Sequence, residues 1–350
     1  MANLFYKDSP LLGFEINNTD MKIMSIDPVR WRVLGYGSID MEPKKLKASL
    51  ENNDSYLSVM VKKLMESHVI GELPSKYVVL GLPTSRTYSR TFTIPRSEQS
   101  KIKDAVELEV SQYIPVPFEL LYTDYEVITK TKKDITVVVT AVPKVAIDNA
   151  IEACEAAGLT VVAVEPGINA IARLVKVAED GNLPTLILAK NPSNTVIAVL
   201  DKVIRITGGT SIGGSTFTLD IAKKLSIPLE TAHQLKVLNG LNPGVRQHKI
   251  KSAIEPSLQR ITTEIRRVIR YYSERIDSDQ KIEQVLILGG GSNVPGIGEY
   301  FTNELILPVR VASPWQKLDF GSLKPPTKQF RPRYLTVAGL GSLTNEEVWK

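Results

Sequence analysis

Two glycine-bearing loops are the segments of the chain whose residue types best suit ligand binding. The first, containing Gly289, Gly290, Gly291 and Ser292, follows the apolar run 285–288, which is typical of a strand buried on both faces. Three glycines let the main chain approach a ligand with no Cβ in the way, and a following helix offers free N–H groups to an anion or a polar ring. A tight strand-to-helix turn without a ligand explains the same pattern.

The second loop spans residues 207–215 and contains Gly213, Gly214 and Ser215. These residues suit the approach of a phosphate, and they equally suit the start of a helix with Ser215 as its N-cap. Neither loop matches the pattern GxxxxGK[ST], which excludes a P-loop. Neither has GxGxxG directly after a first strand with an acid about 20 residues further on, which disfavours a dinucleotide-binding motif.

Metal and thiol chemistry have little support in the composition. Cys154 is the only cysteine, and the three histidines are isolated from one another in the sequence. One thiol cannot form an internal disulfide, and zinc sites of the usual kind need several Cys or His ligands. The composition therefore disfavours a disulfide scaffold and a zinc enzyme.

The elements that would position the loops repeat along the chain. Residues 11–39 predict three short strands separated by Asn, Asp and Pro, and residues 185–208 predict three more. Helical periodicity follows each triple, in residues 54–69 and 215–226. We expect each triple to form an antiparallel meander on a sheet of its own, which suggests a duplicated α/β architecture. Two unrelated meanders are the alternative.

Domain boundaries follow from this repeat. Residues from about 86 to 165 show a pattern of alternating strands and helices, unlike the strand triples. This pattern predicts a small α/β subdomain inserted in the first domain. We expect the first domain to span residues 1–165 and the second to span 166–350. A C-terminal helix at about 334–345 is expected to return to the first domain.

Composition limits the class of protein. The 350 residues are 43% hydrophobic and 23% charged, with a net charge of +5, which is ordinary for a soluble globular protein. No run of about 18 apolar residues is present, and residues 1–16 lack the pattern of a signal peptide. We therefore expect a soluble, cytoplasmic protein.

A long predicted helix over residues 248–276 carries several arginines. They alternate with Glu264 and Glu274 and lack accompanying aromatic residues, which favours an ion-paired helix over a nucleic-acid stripe. The arginines are Arg266, Arg267, Arg270 and Arg275.

Taken together, the repeated strand triples, the insert and the strand–GGG-x-x-x-PG–helix segment resemble the actin-like ATPase superfamily. Within it the chain resembles the family of type IV pilus assembly proteins PilM, relatives of the cell-division protein FtsA. Supporting segments span residues 11–27, 105–128, 139–173, 205–225, 229–236, 262–275 and 286–315. The resemblance implies an α/β fold of duplicated RNase H-like domains, with a small α/β subdomain inserted in the first. It also implies ATP and Mg as cofactors.

The first phosphate loop of this superfamily reads Asp-Ile-Gly, then small hydroxyl residues and a Lys. The resemblance assigns nucleotide binding here to Asn17, Asn18, Thr19 and Lys22. However, Asn17 replaces the glycine, and Asp20 adds negative charge where phosphate oxygens should lie.

The second phosphate loop usually reads Asp-x-Gly-x-x-x-Thr. Alignment on Thr195 places Ala189 at the Asp position and Asn191 at the Gly position, so the acid that would organise magnesium-bound water is missing. The nucleotide-binding residues that the resemblance implies in this part of the chain are Ser193, Asn194, Thr195, Gly213 and Gly214.

The adenosine side matches the family better. The resemblance assigns this role to Gly289, Gly290, Gly291 and Ser292, and to Glu230 with Lys236 on a helix that touches ribose and adenine. A solvated helix face is the alternative explanation for Glu230 and Lys236. No catalytic or metal-ligating residue is assigned.

Partners are implied by the resemblance alone. The expected partner is the N-terminal tail of a PilN-like membrane protein, bound in a groove of the first domain beside the insert. Other proteins of the assembly platform and motor, and a second copy of the chain, are further partners; nucleic acid is not. The protein would lie at the inner face of the cell membrane through its partner.

The sequence is compatible with three functional classes. The chain is a nucleotide-gated adaptor, a scaffold whose nucleotide cleft is vestigial, or an active ATPase of the actin-like superfamily. The substitutions at Asn17, Asp20 and Ala189 favour the scaffold and oppose hydrolysis.

Overall fold

The computed structural model of the protein describes residues 10–52, 54–179, 183–242, 244, 247–277 and 279–348. The segment that lacks the pattern of a signal peptide is residues 1–16, and its residues 1–9 lie outside the described part. The chain is divided into two compact units. Unit 1 comprises the described residues up to Glu179, Pro314–Pro325 and the residues from Tyr334 onward. Unit 2 comprises the described residues from 183 to Ser313 together with Pro326–Arg333.

Unit 1 is built on a mixed sheet. Its described strands are β1 (Leu12–Ile16), β2 (Asp20–Asp27), β3 (Arg32–Asp40), β4 (Val69–Gly71), β5 (Tyr77–Leu82), β6 (Tyr88–Pro95), β7 (Leu121–Lys130), β8 (Asp134–Pro143) and β9 (Thr160–Pro166). Six of them form one sheet in the order β4-β3-β2-β1-β5-β9. Strands β1, β2 and β3 pair antiparallel, whereas β5 and β9 are added parallel. The first expected meander is therefore confirmed.

Helices cover both faces of this sheet. The helices of this part of the chain are α1 (Pro43–Asn52), α2 (Ser55–Ser67), α3 (Ile102–Tyr113), α4 (Lys144–Glu155) and α5 (Gly167–Ala178). Apolar residues of α1, α2 and α4 form one core with β1 and β5, and α5 packs on the opposite face. All five residues of β1 are buried as a result.

The inserted subdomain has its own sheet and its own core. Strands β6, β8 and β7 pair antiparallel in that order, and Val106 and Val110 of α3 pack on Val137 and Val139 of β8. This separate core ends with the strand β8. Ile147, Ala150 and Cys154 of α4 belong to the core of the six-stranded sheet instead, and β9 is a strand of that sheet. The insert thus spans about 88–143 rather than the expected 86–165.

Unit 2 repeats the strand pattern of unit 1. Its described elements are β10 (Thr185–Lys190), β11 (Thr195–Asp201), β12 (Val203–Thr210), α6 (Gly214–Leu225), α7 (Leu229–Leu238), α8 (Gln247–Tyr271), β13 (Gln284–Leu288), α9 (Ile297–Leu305) and β14 (Val309–Val311). The sheet order is β12-β11-β10-β13-β14, with an antiparallel triple followed by two parallel strands. The second meander is confirmed, and it lies on a separate sheet from the first.

The arginine-bearing helix α8 is ion-paired, as its charge pattern predicts. Arg267 contacts Glu264 one turn away, and Arg266 donates to the carbonyl oxygen of Glu304 in α9 at 2.6 Å. On its other face, α8 packs Ile254, Leu258 and further apolar residues into the core of unit 2. No helix of the described residues combines the length and the apolar content that crossing a membrane requires.

The C-terminal segment belongs to unit 1. Helix α10 (Leu335–Gly341) packs on α5 and β1, and the short helix α11 (Asn345–Val348) follows it. Arg173 of α5 ties these elements together, since its guanidinium donates to both carboxylate oxygens of Glu165 at 3.0 and 2.9 Å and to the carbonyl oxygen of Gly339 at 2.6 Å. Unit 1 therefore includes α5 and extends past the expected boundary at residue 165.

Replacing Arg173 by Met should destabilise unit 1 by about 1–3 kcal/mol, because the half-buried carboxylate of Glu165 would lose its counter-charge and the carbonyl oxygen of Gly339 would lose a donor. Burial already raises the pKa of Glu165 above its ordinary value. Urea unfolding of the purified chain would measure the change. Lys176→Met, at an exposed position of the same helix, should change the free energy of unfolding by less than about 0.5 kcal/mol. Equal stabilities of the two variants would contradict the role given to Arg173.

Candidate functional site

Residues 17–19 connect β1 and β2 in unit 1, and their polar groups bond mainly within the loop. The amide of Asn17 donates to the carbonyl oxygen of Asp20 at 2.8 Å, and Asn17 Oδ1 accepts from the amide of Asn18 at 2.8 Å. The carbonyl oxygen of Thr19 accepts from Met41. Thr19 Oγ1 is buried without a hydrogen-bond partner in the described part of the chain.

Lys22, the expected phosphate ligand, is buried between two carboxylates. It lies opposite Glu15 in the β1–β2 register, and its Nζ is 3.2 Å from Glu15 Oε2 and 2.5 Å from Asp20 Oδ1. Burial raises the pKa of Glu15, while the nearby ammonium opposes that rise. The charge of Lys22 is therefore balanced by the protein itself.

The loop between β10 and β11 in unit 2 repeats the main-chain bond of the first loop. The amide of Asn191 donates to the carbonyl oxygen of Asn194 at 2.8 Å, and their side chains are joined by a bond of 3.1 Å. Ser193 lies between them, half-buried. Thr195 Oγ1 is buried and donates to the carbonyl oxygen of Ile212 at 2.6 Å. Thr195 therefore joins two loops of unit 2.

The start of α6 packs directly on this loop. The amides of Gly214 and Ser215 donate to the carbonyl oxygens of Asn191 and Pro192, both at 2.9 Å. A Cβ on Gly213 would lie 2.2 Å from the oxygen of Pro192, so only glycine allows this approach. The N-cap is Gly213, not Ser215 as expected, because the helix already begins at Gly214. The glycines thus serve a loop-to-loop contact, and the two amides are already engaged.

Helix α7 directs Glu230 and Lys236, which the resemblance groups together, to different surroundings. Lys236 is buried, and its Nζ donates to the carbonyl oxygen of Gly214 and to Thr218 Oγ1, both at 2.8 Å. Burial lowers its pKa to about 8. Glu230 is exposed on the same helix. Six residues of α-helix rotate a side chain by about 240°, so the two side chains point in different directions.

The three glycines that follow β13 form a tight turn, which we call the triglycine loop (Gly289, Gly290 and Gly291). Gly289 has a φ of 84°, and a 3₁₀ turn follows it. Ser292 closes the turn, since its hydroxyl donates to the carbonyl oxygen of Gly289 at 2.7 Å. The triglycine loop covers Lys190, the last residue of β10, because a Cβ on Gly291 would lie 2.5 Å from Lys190 Cγ.

Sequence reasoning missed Lys190. The residue has no exposed surface, and its Nζ has no hydrogen-bond partner among the described residues. Burial, and to a smaller extent the charge of Lys236, lower the pKa of Lys190 to about 7. One signal in the sequence could have indicated its burial. Lys190 is spaced by two residues from Leu188 and by four from Leu186, which places all three side chains on the same face of a buried strand.

These contacts do not fit a magnesium triphosphate held as the resemblance implies. In unit 1 the lysine is neutralised by carboxylates, and in unit 2 the amides of Gly214 and Ser215 are engaged. Ala189 is buried and carries no metal ligand. Within the described ranges, no cluster of three or more His, Cys, Asp or Glu side chains could hold a metal ion.

Solved structures with the same arrangement of strands and helices define the fold. One chain of a "PilM-PilN type IV pilus biogenesis complex" superposes with a TM-score of 0.77 and 22% identity, covering 95% of this chain and 97% of that one. The ethanolamine utilization protein EutJ from Carboxydothermus hydrogenoformans gives a TM-score of 0.54 at 14% identity, covering 97% and 93%. MreB 5 of Spiroplasma citri bound to AMPPNP gives 0.54 at 12% identity, covering 95% of both chains. The fold is actin-like.

The family follows from a wider sequence pattern. The model of the family described as "Type IV pilus assembly protein PilM" matches residues 32–343. The chain therefore belongs to the PilM family.

The burial of Lys190 predicts a pH-dependent stability. Its pKa is about 7 in the folded protein against an ordinary value of 10.5, so the unfolded chain binds the proton more tightly. As pH falls from about 10.5 to 7, wild type should lose on the order of 3–5 kcal/mol relative to Lys190→Met, and the difference should level off below pH 7. Denaturant unfolding at pH 6.5, 8 and 9.5 measures this.

The matched control is Lys224→Met, at an exposed position of α6. Its stability difference from wild type should stay constant across the same pH range. If the Lys190→Met difference is also constant, the folded protein does not hold a buried amine with a lowered pKa.

Proposed function

We propose that the protein is an adaptor of the type IV pilus inner-membrane assembly platform that binds the N-terminal tail of a PilN-like membrane protein. The observation that carries this proposal is family membership, supported by the similarity over 95% of the chain to a protein solved in a PilM-PilN complex. The protein would lie at the cytoplasmic face of the membrane through this partner. Other platform and motor proteins, and a second copy of the chain, would be further contacts.

An exposed apolar surface in unit 1 is suited to receive such a tail. It lies where β7 of the insert meets α4, and we call it the β7–α4 surface (Leu120, Tyr122 and Val145). These side chains are 57%, 46% and 47% exposed. A peptide side chain placed against them would gain hydrophobic contact of the kind that anchors a binding interface.

Polar groups at the same place would orient the peptide. Tyr122 donates its hydroxyl to Asp148 Oδ1 of α4 at 3.0 Å, and the Lys144 ammonium lies 5.4 Å from the Tyr122 ring centroid. The strand and the helix are therefore joined through one aromatic side chain. A carboxylate and an ammonium beside an apolar strip offer both signs of charge to a peptide main chain or side chain.

We infer that the adaptor does not depend on ATP hydrolysis. The support is the engagement of Lys22 by Glu15 and Asp20, and of the first α6 amides by the β10–β11 loop. A nucleotide would have to displace these contacts before gaining its own. Phosphoryl transfer relies on placed charges and metal ions, which favours a scaffold over the alternative of an active, nucleotide-gated ATPase.

Val145→Asp and Tyr122→Ala should each weaken binding of a labelled PilN-like tail peptide by about tenfold or more, because each removes an exposed apolar anchor. Fluorescence anisotropy measures the affinity. Val177→Asp is the matched control, since Val177 is 41% exposed on α5 of the same unit. Unchanged affinity in both variants, with wild type binding the peptide, would place the tail elsewhere on unit 1. Absence of binding by wild type would contradict the adaptor itself.

Purified protein should show negligible ATP hydrolysis and bind its peptide equally well with and without nucleotide. Two lost charge-assisted hydrogen bonds, at about 1.5–3 kcal/mol each, would weaken magnesium-ATP binding by about a hundredfold or more. Calorimetry with magnesium-ATP and a phosphate-release assay measure both quantities. Micromolar binding with magnesium-dependent turnover would favour the active ATPase instead.

A further inference from the structure

Four basic residues meet at the end of the inserted subdomain where the β7–β8 hairpin turns, and we call this group the basic tip (Arg96, Lys130, Lys132 and Lys133). Lys130 ends β7, and Lys132 and Lys133 follow in the turn. Arg96 joins them from the end of β6, because its amide donates to the carbonyl oxygen of Lys133 at 2.6 Å. All four residues are exposed. The sheet thus brings positive charges from two separate parts of the sequence to one place.

The turn that carries the lysines is held by its own hydrogen bonds. The amide of Thr131 donates to the carbonyl oxygen of Asp134 at 2.8 Å, and Thr131 Oγ1 accepts from the amides of Lys133 at 3.2 Å and Asp134 at 2.9 Å. Among the ion pairs of the described residues, none includes a member of the basic tip. The positive charges are therefore accessible to a partner, and the turn does not need them for its conformation.

The charge of the insert is segregated between its two ends. The basic tip has four positive residues beside two acids, Glu98 and Asp134. Helix α3 and the rest of β7 carry one lysine against five acids, which are Asp104, Glu107, Glu109, Asp124 and Glu126. A negative surface attracts one end of such an insert and repels the other, which orients the tip toward that surface. Lysines that only keep a sheet edge soluble need no such segregation.

Strand β7 connects the basic tip to the β7–α4 surface. Tyr122 lies near the start of the strand and Lys130 at its end. Eight residues of extended chain separate the two by about 27 Å, at about 3.4 Å per residue. The two surfaces are therefore far enough apart to be occupied at the same time.

We propose that the basic tip contacts the anionic headgroups of a lipid membrane. Anionic lipids give a leaflet a negative surface potential, and each Lys or Arg close to the surface adds to the attraction. Among the described residues of the tip and its turn, no large hydrophobic side chain is exposed. The contact is therefore with headgroups and does not insert side chains among the acyl chains.

An electrostatic contact of this kind is weak alone and gains strength from a second attachment to the same membrane. The tail of a membrane protein bound at the β7–α4 surface would be that second attachment. The location of the protein beside a membrane rests on the proposed function, whereas the attraction of the basic tip to anionic lipid does not.

The test is flotation of the full chain with vesicles at millimolar lipid and low ionic strength. The vesicles contain phosphatidylcholine alone, or phosphatidylcholine with increasing shares of phosphatidylglycerol. We expect the bound fraction to rise with the share of phosphatidylglycerol and to be negligible on phosphatidylcholine alone. Salt at about 0.5 M should abolish binding, because screening then acts within a few ångström.

A chain carrying Lys130→Gln, Lys132→Gln and Lys133→Gln should bind phosphatidylglycerol vesicles about thirtyfold more weakly, or less tightly still. The reason is that each lysine close to an anionic surface contributes about fivefold in affinity. Circular dichroism checks that this tip variant is folded.

The matched control carries Lys62→Gln, Lys223→Gln and Lys224→Gln, at exposed positions of α2 and α6. It loses the same amount of net charge as the tip variant but keeps the basic tip, so it should bind nearly as wild type does. Equal losses in the two variants would mean that net charge alone causes binding, which overturns the proposal.

A fluorescent label gives an answer that needs no change of charge. Ser97, beside Arg96, and Ser252 of α8 are both exposed, and Cys154, the only native cysteine, is buried. Ser97→Cys with a polarity-sensitive fluorophore should brighten on phosphatidylglycerol vesicles, whereas Ser252→Cys with the same label should not. Equal responses of the two labels would contradict contact through the tip.

Two further results would overturn the proposal. One is the absence of wild-type binding to vesicles rich in phosphatidylglycerol, and the other is wild-type affinity in the tip variant, which would leave an acidic protein as the occupant of the tip. Anisotropy of the tail peptide with the same preparations separates this contact from the adaptor function. The tip variant should bind the free peptide as wild type does.

Discussion

The pairing of Lys22 with Glu15 and Asp20 is the interaction on which the chemistry of unit 1 depends. Strands β1 and β2 are covered on both faces, so a lysine at this register position must be buried with them. A buried ammonium is tolerated when carboxylates surround it. The same carboxylates already pair with the ammonium group that a phosphate would need.

Unit 2 has the same hairpin geometry as unit 1, but its buried lysine has different surroundings. Its first hairpin loop has the same main-chain bond, from Asn191 to Asn194, as the bond from Asn17 to Asp20 in unit 1. The sheet orders correspond strand for strand, except that unit 1 has the additional edge strand β4. The buried lysine of unit 2 ends β10 instead of following the loop, and carboxylates do not pair with it in the described contacts. Duplicated topology thus preserves the loops while the charges inside them diverge.

Much of the fold could be predicted because it rests on local pattern. Turn-forming residues between short apolar runs located both meanders, and helical periodicity located α2 and α6. The extent of the insert could not be predicted this way. The apolar face of α4 shows that this helix packs on a sheet, but it does not show on which of the two sheets of unit 1. Only the tertiary contacts of Ile147 and Cys154 assign that helix to the six-stranded sheet.

The candidate site was harder to predict for a related reason. The glycine positions were recognised from the sequence, but the role of each glycine depends on its spatial neighbours. Gly213, for example, allows the main chain to approach the carbonyl oxygen of Pro192. Glu230 and Lys236 were grouped by resemblance, yet a six-residue spacing on α7 sends one to solvent and the other to Gly214. The burial of Lys190 depends on the triglycine loop folding over it, about a hundred residues further along the chain. Resemblance of motifs therefore located these residues along the chain, whereas their contacts and their burial follow from the tertiary structure.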